Sequence, residues 1–369
     1  MMTLPLSGRR RIVAGMTEPK PTIHRGTTEQ PANRFVATHR ERDPDAEDLD
    51  PAEEPLPRTE FLRDNTQSIL TTNDSPDLGF TYSLNPYRGC EHGCIYCYAR
   101  PYHEYLGFSA GFDFESKIMV KHNAPELLRR ELASPKWHPQ SIAMSGVTDC
   151  YQPVEGKLQI TRRCLEVLAE FRNPVGIVTK NALVTRDLDV MSELAKHNCV
   201  VVLISLTTLD PELRSILEPR TSPPAARLAT IRKLSEAGIP VGVMTAPIIP
   251  AINDHELPKL LAAAAEAGAK FAGKVVLRLP HAVAPLFEDW LTRHFPDRKE
   301  KVLNQIRALR GGQLNDPRFG SRMTGEGIFA EQISRMFHVA CQRAGLDTNR
   351  IELSPDHFRR IAMGQGELW

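Results

Sequence analysis

The pattern of apolar and polar positions divides the chain in two. Up to about residue 75 no apolar period is visible. From about residue 80, short β-branched runs alternate with stretches whose apolar positions recur at helical spacing. The pattern predicts strands at 80–84, 141–145, 175–179, 200–206, 240–245 and 273–279, and helices at 158–171, 187–197, 224–237 and 254–267. In the last of these helices Leu257, Leu260, Leu261, Ala264 and Ala265 share one face. Gly238 and Gly268 stand where helices should stop. Alternating β and α units imply a parallel sheet with helices packed outside it. A complete barrel of this kind needs eight units; six are present, so the fold class expected is α/β, a partial (β/α)6 TIM-like barrel. A doubly wound open sheet is the alternative from pattern alone. After Pro280 the strands cease, and 284–310 and 326–344 read as helices around Gly311-Gly312. The expected organisation is a mostly disordered N-terminal tail (1–75), a core barrel (76–283) and a helical C-terminal extension (284–369).

The tail reading comes from composition. Its Pro, Arg, Asp and Glu, as in Arg40-Glu41-Arg42-Asp43-Pro44-Asp45, cannot bury enough surface to offset the entropy of ordering. Over the whole chain, 369 residues with 41% hydrophobic and 25% charged positions describe a globular protein. A net charge of +1 selects no particular partner. The apolar runs are too short to span a bilayer. Residues 1–16 lack the apolar stretch of a signal peptide. A cytoplasmic protein is expected.

Seven cysteines are too few and too unevenly placed for a disulfide framework. Three crowd into Gly89-Cys90-Glu91-His92-Gly93-Cys94-Ile95-Tyr96-Cys97-Tyr98, while Cys150, Cys164, Cys199 and Cys341 are scattered. The crowding suggests one metal site in a reducing compartment. A short loop with this spacing can bring three thiolates to one soft centre, and Gly89 and Gly93 let the backbone turn tightly. Three thiolates fit a four-iron cluster with one iron free of protein ligands. A zinc site would want a fourth ligand. His92 is the candidate, but it lies within the same short loop. Three buried structural cysteines are the remaining alternative.

Cys90-x3-Cys94-x-Tyr96-Cys97 after a strand that opens a βα barrel resembles the radical SAM enzymes. The resemblance implies a [4Fe–4S] cluster held by Cys90, Cys94 and Cys97. Its open iron would bind S-adenosylmethionine, and reductive cleavage would yield methionine and a 5′-deoxyadenosyl radical. Asn85-Pro86-Tyr87-Arg88, Cys97-Tyr98-Ala99-Arg100, the run from Ser145 to Pro153 and Glu218-Pro219-Arg220-Thr221 are similar to the branch related to spore photoproduct lyase, often labelled DNA repair photolyase. By that resemblance Tyr96, Gly146, Thr148, Asp149, Lys180 and Ser205 are the candidate S-adenosylmethionine contacts. Thr148 and Asp149 would supply oxygens to its ammonium, Lys180 would pair with its carboxylate, and Tyr96 would lie against its adenine. All fall near C-terminal strand ends, where barrel enzymes place their chemistry.

One departure narrows the reading. The lyase uses a hydrogen-donating cysteine where this chain has Val147. Cys150, three residues further on and one past Asp149, and Tyr98 are the candidate catalytic residues instead, with Tyr87, Tyr102 and Tyr151 as further aromatics able to relay a radical. Arg220 and Arg278 are candidates to meet an anionic substrate, and Lys117, Lys121, Arg129 and Arg130 could line a phosphate track. The reading is radical chemistry on damaged nucleic acid. Radical modification of a protein or small metabolite, or a non-catalytic iron–sulfur sensing module, are the alternatives. The implied partners are an electron donor such as flavodoxin or ferredoxin, and DNA. A sliding clamp is a third, because Gln365-Gly366-Glu367-Leu368-Trp369 resembles the short peptides that dock on bacterial clamps.

Overall fold

The computed structural model describes residues 25–36, 58–349 and 351–362. Its ten strands are β1 Glu60–Arg63, β2 Leu70–Thr72, β3 Tyr82–Leu84, β4 Tyr87–Arg88, β5 Lys117–Val120, β6 Ile142–Met144, β7 Val175–Thr179, β8 Val200–Ser205, β9 Val241–Ile248 and β10 Phe271–Val276. The helices are α1 Phe112–Ser116, α2 Ala124–Ala133, α3 Glu155–Leu158, α4 Ile160–Phe171, α5 Leu188–Ala195, α6 Pro211–Leu217, α7 Pro224–Glu236, α8 Leu257–Glu266, α9 Val283–His294, α10 Lys299–Leu309 and α11 Ile328–Ala344.

One seven-stranded sheet runs in the order β10-β9-β8-β7-β6-β3-β2. From β3 to β10 every neighbouring pair is parallel, and β2 caps the edge antiparallel to β3. These are the six units of the expected partial barrel, in chain order. A second, three-stranded sheet, β1-β5-β4, lies apart from it. Strand β8, Val-Val-Val-Leu-Ile-Ser, is buried at all but one position. Such a continuous apolar run is what a strand covered on both faces requires. Outside it, α4 turns Ile160, Cys164, Leu165, Leu168 and Phe171 inward, and α8 turns Leu257, Leu260, Leu261 and Ala264. Burying each such Leu or Phe stabilises the fold by about 1.5–3 kcal/mol.

The two edges of the partial barrel are bridged by the C-terminal extension. After α10 the chain runs beside β10, where Val276 N donates to Met323 O (2.9 Å) and Arg310 to the Val276 and Leu277 carbonyls (2.7 and 2.8 Å). Arg322 then reaches across to Asp77, at 2.6 Å, and to Ser75 beyond β2. Past α11, residues 347–362 cross the N-terminal ends of the strands. Ala272 N donates to Asp347 O, Ser354 N to Asn198 O and Arg359 N to Phe171 O. Gln365-Trp369, the clamp-like peptide, lies outside the described residues.

Parts of the N-terminal range 1–75, residues 25–36 and 58–75, are described and pack on the rest of the chain. Residues 25–36 lie against the cysteine-bearing loop. Gly26 N donates to Glu115 Oε2 (2.9 Å), Phe112 N to Glu29 O (2.9 Å), and Asn33 Nδ2 to the Glu104 and Phe108 carbonyls. Residues 60–63 form β1 on β5. These contacts are hydrogen bonds and ion pairs rather than an apolar face, which is why hydrophobic periodicity misses them.

Candidate active site

The three clustered cysteines lie on the loop that leaves β4. Gly89 (φ 77°) and Gly93 (φ 66°) bend it with left-handed backbones. A Cβ at Gly89 would stand 3.0 Å from Phe114 O, and one at Gly93 2.6 Å from Glu115 Oε2, so the turns need glycine on both counts. Arg100, fully buried, fastens the loop from beneath. It donates to Cys94 O (3.0 Å) and Gly93 O (3.3 Å) and pairs with the buried Glu115. Gln152 holds the loop's entrance, accepting from Glu91 N and donating to Gly89 O.

Cys90, Cys94 and Cys97 are free thiols. Burial pushes the Cys94 and Cys97 thiols up, the other cysteines of the loop raise them further, and Lys180 acts on both in the opposite sense. Among the described residues no three His, Cys, Asp or Glu side chains converge as ligands of a single metal ion would. His92 is engaged elsewhere. It is buried, with Nδ1 3.3 Å from Asp149 Oδ2. Burial alone would lower its pKa, but Asp149 and Cys90 raise it to about 9.

The strand ends that face the loop supply the other candidates. Lys180 directly follows β7. Its Nζ lies 5.9 Å from the centre of the Tyr96 ring, with no carboxylate in bonding distance among the described residues. The Tyr96 hydroxyl donates to Glu218, a buried carboxylate that also accepts from Thr207 (2.7 Å) and pairs with the buried Arg227. Burial would raise the Glu218 pKa, but Arg227, Lys180 and Tyr96 hold it down at about 2. Gly146 closes the end of β6, and its carbonyl accepts from the Tyr98 hydroxyl (2.7 Å). Ser145 before it has a left-handed backbone (φ 75°), a strain of the kind that collects at functional sites.

The other candidates have partners within the chain. Thr148 Oγ1 donates to Tyr87 O (2.9 Å), and Asp149 accepts from Thr179 Oγ1, Lys180 N and Tyr151 N while facing His92. A carboxylate with this many partners braces the site. Cys150 is wholly buried in the main hydrophobic core, with its thiol pushed well up by burial. Ser205 is buried too, and its carbonyl accepts from Arg227 (2.9 Å). Tyr98, by contrast, stands at the mouth, 39% exposed. The Glu218–Arg227 and Arg100–Glu115 pairs were not anticipated. One signal was available: Arg227 falls in phase with the apolar Ile231 and Leu234 of α7, so a charge sits on a buried face.

A conserved-family comparison matches residues 84–264 to the radical SAM superfamily. The match spans just under half of the chain, which there resembles that superfamily. The chain is also 40% identical over 222 residues to an uncharacterized protein of Mycobacterium tuberculosis, covering 60% of this chain and 65% of that one. It is 31% identical over 178 residues to an uncharacterized protein of Methanocaldococcus jannaschii, covering 48% and 64%. The chain thus matches somewhat under two thirds of these relatives' length. Among solved structures it is similar in fold to spore photoproduct lyase complexed with dinucleoside spore photoproduct, with a TM-score of 0.58 and 16% identity over 78% of this chain and 81% of that one. A variant of that lyase with AdoMet and the same dinucleoside bound gives a TM-score of 0.56 at 17% identity over 78% and 80%. The radical SAM superfamily implies an iron–sulfur cluster and S-adenosylmethionine. Among the described residues no helix is long and apolar enough to cross a membrane.

Proposed function

We propose that this chain is a radical SAM enzyme that binds a [4Fe–4S] cluster through Cys90, Cys94 and Cys97 and acts on nucleic acid. The observation that carries the reading is three free thiols on a glycine-hinged loop, near a lysine ammonium that has no carboxylate partner among the described residues. When bound, the cluster supplies the electron that cleaves S-adenosylmethionine to methionine and a 5′-deoxyadenosyl radical. Everything else falls to the chain's own residues. Lys180 offers its ammonium to the methionine carboxylate, the charge-assisted pair a point cation makes. Glu218 and Arg227 hold the Tyr96 ring in place through its hydroxyl, leaving its face toward the loop. Arg100 and Glu115 fix the loop so that the thiols need no rearrangement on loading. Tyr98 borders Cys97 and the open mouth, where substrate would enter. Electrons come from a low-potential donor such as a flavodoxin or ferredoxin. Nucleic acid as substrate is supported by the dinucleoside spore photoproduct held in a lyase structure of similar fold.

Anaerobic reconstitution with iron and sulfide tests the binding steps. Wild type should take up iron and sulfide near four each per chain for one four-iron cluster, and its electron paramagnetic spectrum should change when S-adenosylmethionine is added. Lys180→Ala should load the same iron while needing about tenfold more S-adenosylmethionine for the same spectral change, the loss expected of one charged hydrogen bond. An unchanged midpoint would remove Lys180 from the site.

A further inference from the structure

Nine large apolar side chains are exposed among the described residues, and five of them, Phe35, Tyr98, Tyr102, Tyr105 and Phe319, fall along one rim of the site's mouth. Phe35 and Tyr105 stack at 4.8 Å, with Tyr102 6.4 Å from Tyr105. Arg278, just past β10, lies over the Tyr98 ring at 5.0 Å. Tyr102 and Arg322 are both near enough to act on its charge, and Arg322 in turn covers the Phe319 ring at 4.6 Å. An exposed aromatic row this long is not needed for folding, since none of these rings belongs to a core cluster.

The cations along the rim differ in one respect. Arg34 is neutralised by Glu104 and Arg322 by Asp77. Arg278 has neither a carboxylate nor a carbonyl partner among the described residues. A partly buried guanidinium without an acceptor is an open seat for an anion. Solvent-exposed rings, spaced beside a cation with no hydrogen-bonded acceptor among the described residues, match the chemistry of an unstacked nucleotide: bases stack on the exposed rings while a phosphate meets the arginine. A duplex keeps its base faces covered and could not use the rings.

We propose that the rim from Phe35 through Tyr98 to Phe319 is a docking track for single-stranded nucleic acid, with Arg278 seating one phosphate at the entrance to the active site. The proposal rests on the enzyme reading above for its purpose but not for its chemistry. Binding is dominated by stacking, and its salt dependence is correspondingly shallow. With one phosphate neutralised, log K should fall with log salt at a slope of about −0.7.

The test is fluorescence anisotropy of a labelled mixed-sequence 12-nucleotide DNA strand with the full-length chain, an unlabelled duplex of the same sequence as competitor, and a salt series. The wild type should bind the strand, and the duplex should compete poorly. Arg278→Ala should weaken binding about tenfold and flatten the salt slope toward zero. Tyr105→Ala should weaken it five- to tenfold, roughly the loss of one stacked base. Tyr105 is 69% exposed and its side chain makes no hydrogen bond among the described residues, so this variant reads the surface even if Arg278→Ala fails to fold. No binding at low salt, equal competition by duplex, or wild-type affinity in Tyr105→Ala would overturn the proposal. Assaying S-adenosylmethionine cleavage on the same preparation separates the two claims. Cleavage without strand binding removes the track alone. Strand binding without cleavage leaves the track standing and removes the enzyme reading.

Discussion

Cys150 shows how far a single residue can be read from its neighbours. By position it stands beside an aspartate at the end of a barrel strand, where a hydrogen donor would be useful. By geometry Ser145 Oγ accepts its backbone N–H, Thr161 donates to its carbonyl, and its thiol lies in the core. Cys150→Ala should therefore leave 5′-deoxyadenosine formation at the wild-type rate and lower stability by about 1–2 kcal/mol, the cost of a small cavity. A loss of radical formation with unchanged Tm would restore Cys150 to the site. The three loop cysteines were legible because their spacing is itself the chemistry. For Thr148 and Asp149 a sequence shows an oxygen but not its partners, which here lie within the chain.

At the scale of elements, the strands β6 to β10 begin and end within a few residues of their expected bounds, because a strand covered on both faces leaves an unbroken apolar run. β1, β2 and β4 left no such trace. They are two to four residues long and mostly exposed, as in Glu60-Phe61-Leu62-Arg63. The segment 25–36 is the clearest case, since it is held mostly by polar contacts. Its tightest point is Gly26, where a Cβ would stand 1.8 Å from Gly93 O between the first two cysteines. Gly26→Val should lift this segment from the loop, and the apo protein's loop thiols should then react faster with a thiol reagent. Unchanged labelling would show that the segment does not shield them.

The three-ten turn Arg100–Leu106 that follows the loop makes a second prediction. Its His103 is buried against Phe108 and Phe114, and burial lowers its pKa from 6.5 to about 4. The unfolded chain then takes up a proton between those values that the folded chain does not, so stability is full above about pH 6.5 and declines as pH falls toward 4. The loss should approach about 3 kcal/mol. Denaturant titrations of the apo protein across this range should show the decline, and His103→Phe should reduce its slope. The same slope in both proteins would place the acid sensitivity elsewhere.

For the molecule as a whole, the repeat of βα units predicts the barrel but not what completes it. The gap between β10 and β2 is crossed by the run ending at Arg322, and the lower ends of the strands are crossed by 347–362. Both are loops without periodicity, anchored by backbone pairs and by Arg310, Arg322, Arg359 and Arg360 on carbonyls and carboxylates. A pattern of apolar positions carries no information about such straps. The central claim is that this loop, so placed, supports reductive cleavage of S-adenosylmethionine. The most direct measurement is formation of 5′-deoxyadenosine by the reconstituted protein with dithionite under anaerobic conditions, wild type beside Cys94→Ala. The account predicts product with the wild type, with its oligonucleotide substrate present if turnover requires it, and none with Cys94→Ala. A wild type that binds iron and sulfide yet forms no 5′-deoxyadenosine with or without nucleic acid would contradict it.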